Sequence, residues 1–241
     1  MNNTTADKIS ALNSLSEGIN PTIIYNEGWM IRLLVIESRI EGLKINEVDF
    51  GLLASKNWSS EALITSPFVE TKENREGYTH ADIILGDFSV NYNERGDVKL
   101  NDSPEVLGII EAKMGSNLSQ GTSNAKDIYN QASRNICCLS YVTRRNPNCE
   151  LFFLVVAPKA TIDKYEIERQ VKRENILIQI DNRFKHSKET YMPEIKNQVE
   201  KCKLVIISYK DWINKLSNSV VQKMLGGFHE KCLKFNKIKD I

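Results

Sequence analysis

A continuous apolar segment, residues 151–157, constrains the fold of this chain more than any other stretch of its sequence. Asn148 and Pro158 bound the segment, so it has the length of a single strand. Because polar and apolar residues do not alternate within it, the segment is typical of a central strand that is covered on both faces. The sequence therefore predicts a mixed sheet with helices packed on its faces.

Three further strands are expected at residues 78–88, 106–113 and 203–208, with a turn-rich hairpin connection at 91–105. The predicted helices cover residues 26–43, 123–142, 165–174, 194–201, 211–216 and 220–235, the last interrupted at Gly226-Gly227. Two segments are ambiguous: residues 58–71 could open a short helix at Ser59, and residues 176–180 could be a strand or an extended segment. Residues 1–20 are a polar lead-in, frayed or a short helix, and residues 21–241 are expected to form a single domain.

Composition limits the function only loosely. The net charge is +1, from 32 basic and 31 acidic residues, so any surface for nucleic acid must be a local patch. No apolar run approaches the roughly 18 residues of a membrane span, and no signal peptide is visible at the N-terminus. The five cysteines form no CxxC pair and are interpreted as reduced thiols. We therefore expect a cytoplasmic protein without a membrane partner.

Acidic residues stand where two of the predicted strands meet solvent. Asp82 lies in the strand at 78–88, and Glu111 ends the apolar run of the strand at 106–113. A carboxylate in an apolar run is costly unless it is paired, and a divalent cation held by Asp82 and Glu111 would supply that pairing. Lys113, two residues after Glu111, would lie on the same face of the strand. The pattern predicts a site for phosphodiester hydrolysis.

The Glu-x-Lys tripeptide alone decides nothing, because acid-x-Lys also begins at Glu70, Asp97 and Glu194. Those three cases fall in a polar stretch, a turn and a predicted helix, respectively. Only Glu111 ends an apolar strand and follows, across a hairpin, another strand that carries an acid.

In this setting Asp82, Glu111 and Lys113 resemble the PD-(D/E)XK, or restriction-endonuclease-like, nuclease superfamily. The resemblance covers residues 25–157, with 203–212 as an additional strand and helix. It implies an α/β fold with a restriction-endonuclease-like core, in which a central mixed β-sheet is flanked by helices in αβββαβ order. Ala81 departs from the motif, since it stands in the place of a proline that members of the family often lack.

The resemblance also implies the roles of the central residues. Asp82 and Glu111, together with the backbone carbonyl of Ala112, would bind Mg²⁺ through oxygen ligands, and Mn²⁺ could substitute. Lys113 would orient or help to activate the attacking water. The cation would stabilise the charge that builds on the phosphate.

Two helical residues complete the site that the resemblance implies. Glu27, at the start of the first helix, matches an acid that many members add as a catalytic and metal-binding residue, with Glu37 as its competitor. Gln131, on the helix after the Glu-x-Lys strand, resembles a supporting polar residue of some members and counts as a catalytic candidate.

Each of these assignments has a structural alternative. Asp82 could form an ion pair with Lys113, Glu27 could be a helix-start acid favoured by the dipole, and Gln131 could be an ordinary polar helix residue. His80 is a lone histidine, which Mg²⁺ does not favour, and is expected to be structural or exposed.

The sequence as a whole predicts a Mg²⁺-dependent nuclease acting on nucleic acid, with double-stranded DNA as the expected substrate and a homodimer compatible with that function. Residues 183–188 and Arg144-Arg145 are candidate contacts for phosphate groups. One alternative is a catalytically inactive subunit of the same fold that binds nucleic acid or a protein partner. Another is a small-molecule enzyme of an unrelated α/β fold, in which Glu111 and Lys113 merely pair. Restriction, repair and defence roles are all compatible with this pattern.

Overall fold

The chain folds as an α/β protein with a seven-stranded mixed sheet flanked by helices, in a computed structural model that describes residues 4–91, 97–119 and 128–238. The strands are β1 (Lys44–Ile45), β2 (Val48–Asp49), β3 (Asn57–Thr65), β4 (Tyr78–Gly86), β5 (Phe88–Asn91), β6 (Asp97–Leu100), β7 (Val106–Ala112), β8 (Glu150–Ala157) and β9 (Lys203–Ser208). The first two form a separate antiparallel hairpin, and the others form the central sheet in the order β5-β6-β3-β4-β7-β8-β9.

The central sheet changes from antiparallel to parallel at β7. Strands β3, β4 and β7 pair antiparallel, whereas β7, β8 and β9 run parallel to one another. In β8, all residues from Leu151 to Ala157 are buried, as expected for the apolar segment that predicted a covered central strand. Because the parallel strands share a direction, their carboxyl ends lie at one edge of the sheet.

Ten helices are found in the described part of the chain. They are α1 (Thr5–Leu15), α2 (Pro21–Ile24), α3 (Glu27–Glu41), α4 (Gln131–Val142), α5 (Lys159–Lys164), α6 (Ile167–Gln170), α7 (Arg173–His186), α8 (Pro193–Lys201), α9 (Tyr209–Asn214) and α10 (Ser219–Phe235). A 3-10 turn, Leu52–Ser55, leads into β3. None of these helices is long and apolar enough to cross a lipid bilayer.

The helices cover the sheet in two layers, each with its own buried cluster. The first cluster joins α1, α3, α9 and α10 to one face of the sheet, through residues such as Leu34, Trp212 and Phe228. The second joins α4, α7 and α8 to the other face, through residues such as Ile136, Ile180 and Val199. All five cysteines are free and buried in the protein.

Local signals explain where the two helices nearest the acids begin. Asn26 accepts a hydrogen bond from the Trp29 amide and caps α3, which ends at Gly42 in the left-handed conformation. Asn130 accepts from the Ser133 amide and caps α4 in the same way. Side-chain caps of this kind satisfy amides that have no partner within the helix.

The structure corrects the prediction of a helix over 123–142. Residues 123–127 lie outside the described ranges, and the helix begins at Gln131 because the Asn130 cap starts it there. The apolar periodicity of the sequence continues back to Ile128 and led to the longer prediction. In the structure Ile128 precedes the helix.

Four other predictions of secondary structure were wrong or incomplete. The segment at Ser59 is part of strand β3 rather than a short helix, because β3 pairs with β4 along nearly its whole length. Residues 176–180 lie inside helix α7, and residues 165–174 are divided among short helices and the start of α7. Gly226 and Gly227 do not interrupt α10, since the rest of the helix is held by packing against α1 and α3.

Gly86 closes β4 in a conformation that other residues rarely adopt. Its φ is 139°, and a Cβ at this position would lie 2.2 Å from the Val106 backbone oxygen. Gly86→Ala should therefore lower the free energy of unfolding by about 3 kcal/mol or more, since the clash is with backbone of the neighbouring strand. Urea unfolding followed by circular dichroism measures this. Gly77→Ala, where a Cβ meets nothing within 4 Å, is the control and should change stability little.

Candidate active site

The site forms where the β4–β7 ladder stops. The last paired residues are Ile83 and Ile110, and continuing the register by one residue sets Asp82 opposite Glu111. Instead of a further main-chain bond, Asp82 Oδ2 accepts a hydrogen bond of 2.8 Å from the Ala112 amide. A carboxylate thus takes the place of a backbone acceptor, and this contact fixes the side chain of Asp82 against the end of β7.

Glu111 is the most deeply buried acid of the site. Its side chain is fully buried, and Oε2 accepts a hydrogen bond of 2.9 Å from Asn135 Nδ2 on α4. Oε1 lies 2.7 Å from Lys113 Nζ, and the Lys113 side chain is only 12% exposed. Lys113 thus lies on the same face as Glu111, as the strand period predicts.

The two carboxyl groups lie close enough for the charge of one to act on the other. Burial, and then the negative charge of Asp82, raise the pKa of Glu111 to about 8, although Lys113 acts in the opposite direction. Two carboxyl groups this close repel each other when both are ionised, so they need a cation or a shared proton.

The chemistry of this donor set fits a hard cation such as Mg²⁺. The Oε1 atom of Glu111 is buried and, within the described ranges, has no donor in hydrogen-bond geometry, although Lys113 Nζ is near. Those ranges contain no group of three or more His, Cys, Asp or Glu side chains arranged to hold a metal. Mg²⁺ commonly retains several waters and uses only one or two carboxylates, so Asp82, Glu111 and the Ala112 carbonyl would suffice.

Glu27 occupies the first position of α3, which packs on the face of the sheet opposite to α4. Its negative charge, like those of Asp82 and Glu111, contributes to raising the pKa of Tyr209, for which burial is the larger cause. Glu27 and the carboxylate pair therefore flank the same tyrosine. Glu37, its competitor, is buried further along the helix.

Tyr209 is a residue that the sequence prediction missed. It is fully buried, and its hydroxyl has no hydrogen-bond partner in the described part of the chain. Tyr209 directly follows β9, just as Lys113 follows β7. The shared direction of these strands could have identified it, because the carboxyl ends of neighbouring parallel strands meet at one edge of the sheet.

Gln131 and Asn135 occupy successive turns of α4. The Gln131 side chain accepts a hydrogen bond from Ser119 Oγ at 3.2 Å, and the Gln131 backbone N–H donates to the Ser119 carbonyl. Both contacts go to the loop after Lys113. Asn135, four residues later, is the α4 residue that donates to Glu111. The sequence prediction missed Asn135, although its i+4 spacing from Gln131 places both on one helix face.

A chain of polar contacts fixes Asn135 in this orientation. The Thr79 hydroxyl on β4 donates to Asn135 Oδ1, and Arg134 Nε donates to Thr79 Oγ1 at 3.1 Å. Arg134 is in turn 3.6 Å from the buried Glu76 carboxylate. With its oxygen engaged by Thr79, Asn135 directs its NH₂ group at Glu111.

The prediction of phosphate contacts at residues 183–188 is wrong for Arg183. Its guanidinium is fully buried, donates to Glu76 at 3.2 Å and lies over the Phe68 ring. Buried charges are paired in this way, so Arg183 is unavailable to a ligand. Arg144 stacks on Tyr141 at the end of α4. His80 is exposed on β4, as expected.

A cleft of about 920 Å³ lies at the opposite end of the parallel strands. Its lining includes Val106, Glu150 and Lys203, which begin β7, β8 and β9. Lys203 and Glu150 in this cleft are already paired with each other at 2.7 Å. The acids of the site are therefore separated from this cleft by the length of the strands.

Comparison with protein-family models found no match, and none was found among curated proteins or solved structures. The chemistry of the site is inferred from its own side chains and their contacts.

Glu111→Gln should remove a pH dependence from the stability of the metal-free protein. The pKa of Glu111 is about 8 in the folded protein, against the ordinary value of 4.5 that applies to the unfolded chain. As the pH rises between those values, the unfolded chain releases this proton and the folded protein keeps it. The free energy of unfolding of the wild type should fall over this window, by at most about 1.4 kcal/mol per pH unit. Urea unfolding in EDTA from about pH 5 to about pH 8 tests this; parallel curves for wild type and variant would contradict it.

Tyr209→Phe should leave the free energy of unfolding unchanged or higher, because it removes a buried hydroxyl that has no partner. The matched variant is Tyr129→Phe, whose hydroxyl donates to Glu76 at 2.6 Å. Tyr129→Phe should cost about 1–3 kcal/mol, since it leaves a buried carboxylate with fewer donors. Thermal and urea unfolding of the two variants measure the contrast, and equal losses would show that the Tyr209 hydroxyl is engaged.

Proposed function

We propose that this protein is a Mg²⁺-dependent nuclease of the restriction-endonuclease-like type, hydrolysing phosphodiester bonds in DNA. The observation that carries the proposal is the meeting of Asp82 and Glu111 at the end of the β4–β7 ladder, with Lys113 Nζ beside Glu111. A carboxylate pair with an adjacent amine, at the edge of a sheet, suits a cation that binds a scissile phosphate.

The order of elements around the site supports the same proposal. The elements follow one another as helix, three strands, helix and strand: α3, then β3, β4 and β7, then α4 and β8. The β5–β6 hairpin is inserted before β7. The αβββαβ order is the core that the resemblance implies, and here it brings both acids to one place.

The roles of the residues follow from their contacts. Asp82, Glu111 and the Ala112 carbonyl would hold the cation, and Asn135 would keep the Glu111 carboxylate in a fixed orientation. When bound, Mg²⁺ supplies positive charge to the phosphate and lowers the pKa of a coordinated water. Lys113, held at the mouth of this group and 12% exposed, would orient the water or compensate charge on the phosphate.

Glu27 would act from the other side of the site, as a further acid near the reacting groups. It is partly exposed, so it can reach a ligand without leaving the start of α3. Gln131 would act on the loop that follows Lys113, through its two bonds to Ser119, and support the position of that loop.

One observation favours the rival proposal, a catalytically inactive subunit of the same fold. Lys113 Nζ already lies 2.7 Å from Glu111, so the pair could serve only to neutralise a buried charge. The rival predicts binding of nucleic acid or a protein partner with no hydrolysis and little affinity for a cation. The convergence of a second acid, Asp82, on the same pair favours the catalytic proposal, since one carboxylate would already neutralise Lys113.

Hydrolysis is tested with supercoiled plasmid, linear duplex DNA and RNA, in Mg²⁺ or Mn²⁺ and in EDTA. We expect cleavage that requires the cation and falls about a hundredfold or more in Lys113→Ala. The matched control is Lys196→Ala, which alters the exposed lysine of another acid-x-Lys tripeptide, on α8, and should cleave as wild type does. Wild-type protein that leaves every substrate intact would contradict the proposal.

Cation binding is tested separately from turnover by calorimetric titration with Mg²⁺ and Mn²⁺. Asp82→Asn should abolish the binding isotherm, whereas Asp181→Asn, which alters a surface ion pair with Lys185, should leave it unchanged. Absence of both cation binding and hydrolysis would favour the inactive subunit, which is expected to have little affinity for a cation. Absence of binding in the wild type would contradict both the metal site and the catalytic proposal.

A further inference from the structure

Helix α3 presents an exposed tryptophan close to where it begins. Trp29 is 37% exposed, whereas Trp212 on α9 is fully buried and hydrogen-bonded to Ser38. Among the described residues, Trp29 is not one of those that pack in or against either buried cluster. A large aromatic side chain that keeps more than a third of its surface in solvent is a candidate for binding.

Arg32, one turn later, lies over this tryptophan. Its guanidinium carbon is 5.5 Å from the centre of the Trp29 ring. Gly28 leaves room for this arrangement, because a Cβ at that position would lie 2.9 Å from Arg32 Nη1. The ring and the guanidinium therefore form a stacked pair, which we name the Trp29–Arg32 platform.

The platform is connected to the site through Glu61 of β3. Arg32 Nη2 lies 3.4 Å from Glu61 Oε1, in a pair whose carboxylate is 59% exposed. The β3–β4 register joins Ser60 to Ile83 and Ala62 to Ala81, so Glu61 occupies the place opposite Asp82. The backbone of Glu61 thus lies about one strand spacing, roughly 4.8 Å, from that of Asp82, and the Glu61 side chain leads from there to the platform.

The backbone of Glu61 is unusual at this point. Its φ is 57°, in the left-handed region that residues other than glycine seldom adopt within a strand. The ladder omits the Glu61–Asp82 pair, while the pairs on either side of it are intact. A local backbone cost of this kind recurs at binding and catalytic sites, and here it sets Glu61 where it meets Arg32.

From these contacts we infer that the Trp29–Arg32 platform binds an unpaired nucleobase, stacked on Trp29, with the adjoining phosphate at Arg32. This rests on the proposed function and specifies its substrate: nucleic acid with a single-stranded segment beside the scissile phosphate, such as a duplex with a tail. A duplex buries the faces of its internal bases, so an aromatic side chain beside the scissile phosphate can stack only on an unpaired base. Arg32 can release the exposed Glu61 carboxylate and bind a phosphate in its place. A guanidinium donates two hydrogen bonds to a phosphate.

The experiment measures binding by fluorescence anisotropy, with Ca²⁺ in place of Mg²⁺ to slow turnover. The probes are a labelled single-stranded oligonucleotide, a blunt duplex and the same duplex with a single-stranded tail. Trp29→Ala should bind the single strand and the tailed duplex roughly tenfold more weakly, and the blunt duplex as the wild type does. Trp29→Phe keeps an aromatic face and should retain most of the affinity, while Trp29→Leu keeps apolar bulk and should lose it.

Ile40→Ala is the matched control, since Ile40 is an exposed apolar residue at the far end of the same helix. It should bind all three probes as the wild type does, and thermal unfolding should establish that every variant is folded. Unchanged binding by Trp29→Ala and Trp29→Leu, or an equal loss on the blunt duplex, would overturn the platform.

The two proposals fail differently in this experiment. A wild type that cleaves DNA while the Trp29 variants bind and cleave equally well would refute only the platform. A wild type that neither binds nor cleaves any of the probes would refute the proposed function together with it.

Discussion

The buried carboxylate of Glu111 is the constraint on which the rest of the site depends. A charge in the interior is tolerated only when it is paired and hydrogen-bonded, and Glu111 meets this need through Lys113 on its own strand and Asn135 on α4. Asn135 is in turn held by Thr79 on β4. Through these contacts, Glu111 links β4, β7 and the helix α4 that covers them. Its burial away from water raises the pKa of its carboxyl group.

The position of Asp82 shows how a sheet can form a site without a loop. The β4–β7 ladder stops one residue short of the acids, and the Asp82 carboxylate takes over the Ala112 amide that the ladder would have used. The side chain therefore has a structural partner that also aims it at Glu111. The face opposite Asn135 contributes Tyr209 and Glu27, so helices from both layers approach the same edge of the sheet. The Ala112 amide, Lys113 and Asn135 keep this pair of repelling acids in place.

Much of the central sheet could be predicted because its strands are locally distinctive. The buried segment in β8 and the apolar runs of β4 and β7 carry their own signal, and the two-residue period set Lys113 beside Glu111. Strand β3 was missed because Ser59 and Ser60 are polar and Glu61 has a left-handed backbone, which only pairing with β4 stabilises. The start of α4 was misplaced because one cap, Asn130, overrides an apolar pattern that continues beyond it.

By itself, the sequence determined that two strands carry acids, and that an amine follows one of them at a spacing that shares its face. These are properties of neighbouring residues, so the local period of a strand is enough to establish them. Tertiary structure alone decided that the acids meet, that Asn135 and Tyr209 join them, and that Arg183 is buried with Glu76 rather than exposed to a ligand. Such contacts join residues far apart in the chain, and the packing of helices against the sheet selects among many candidates of the same chemical type.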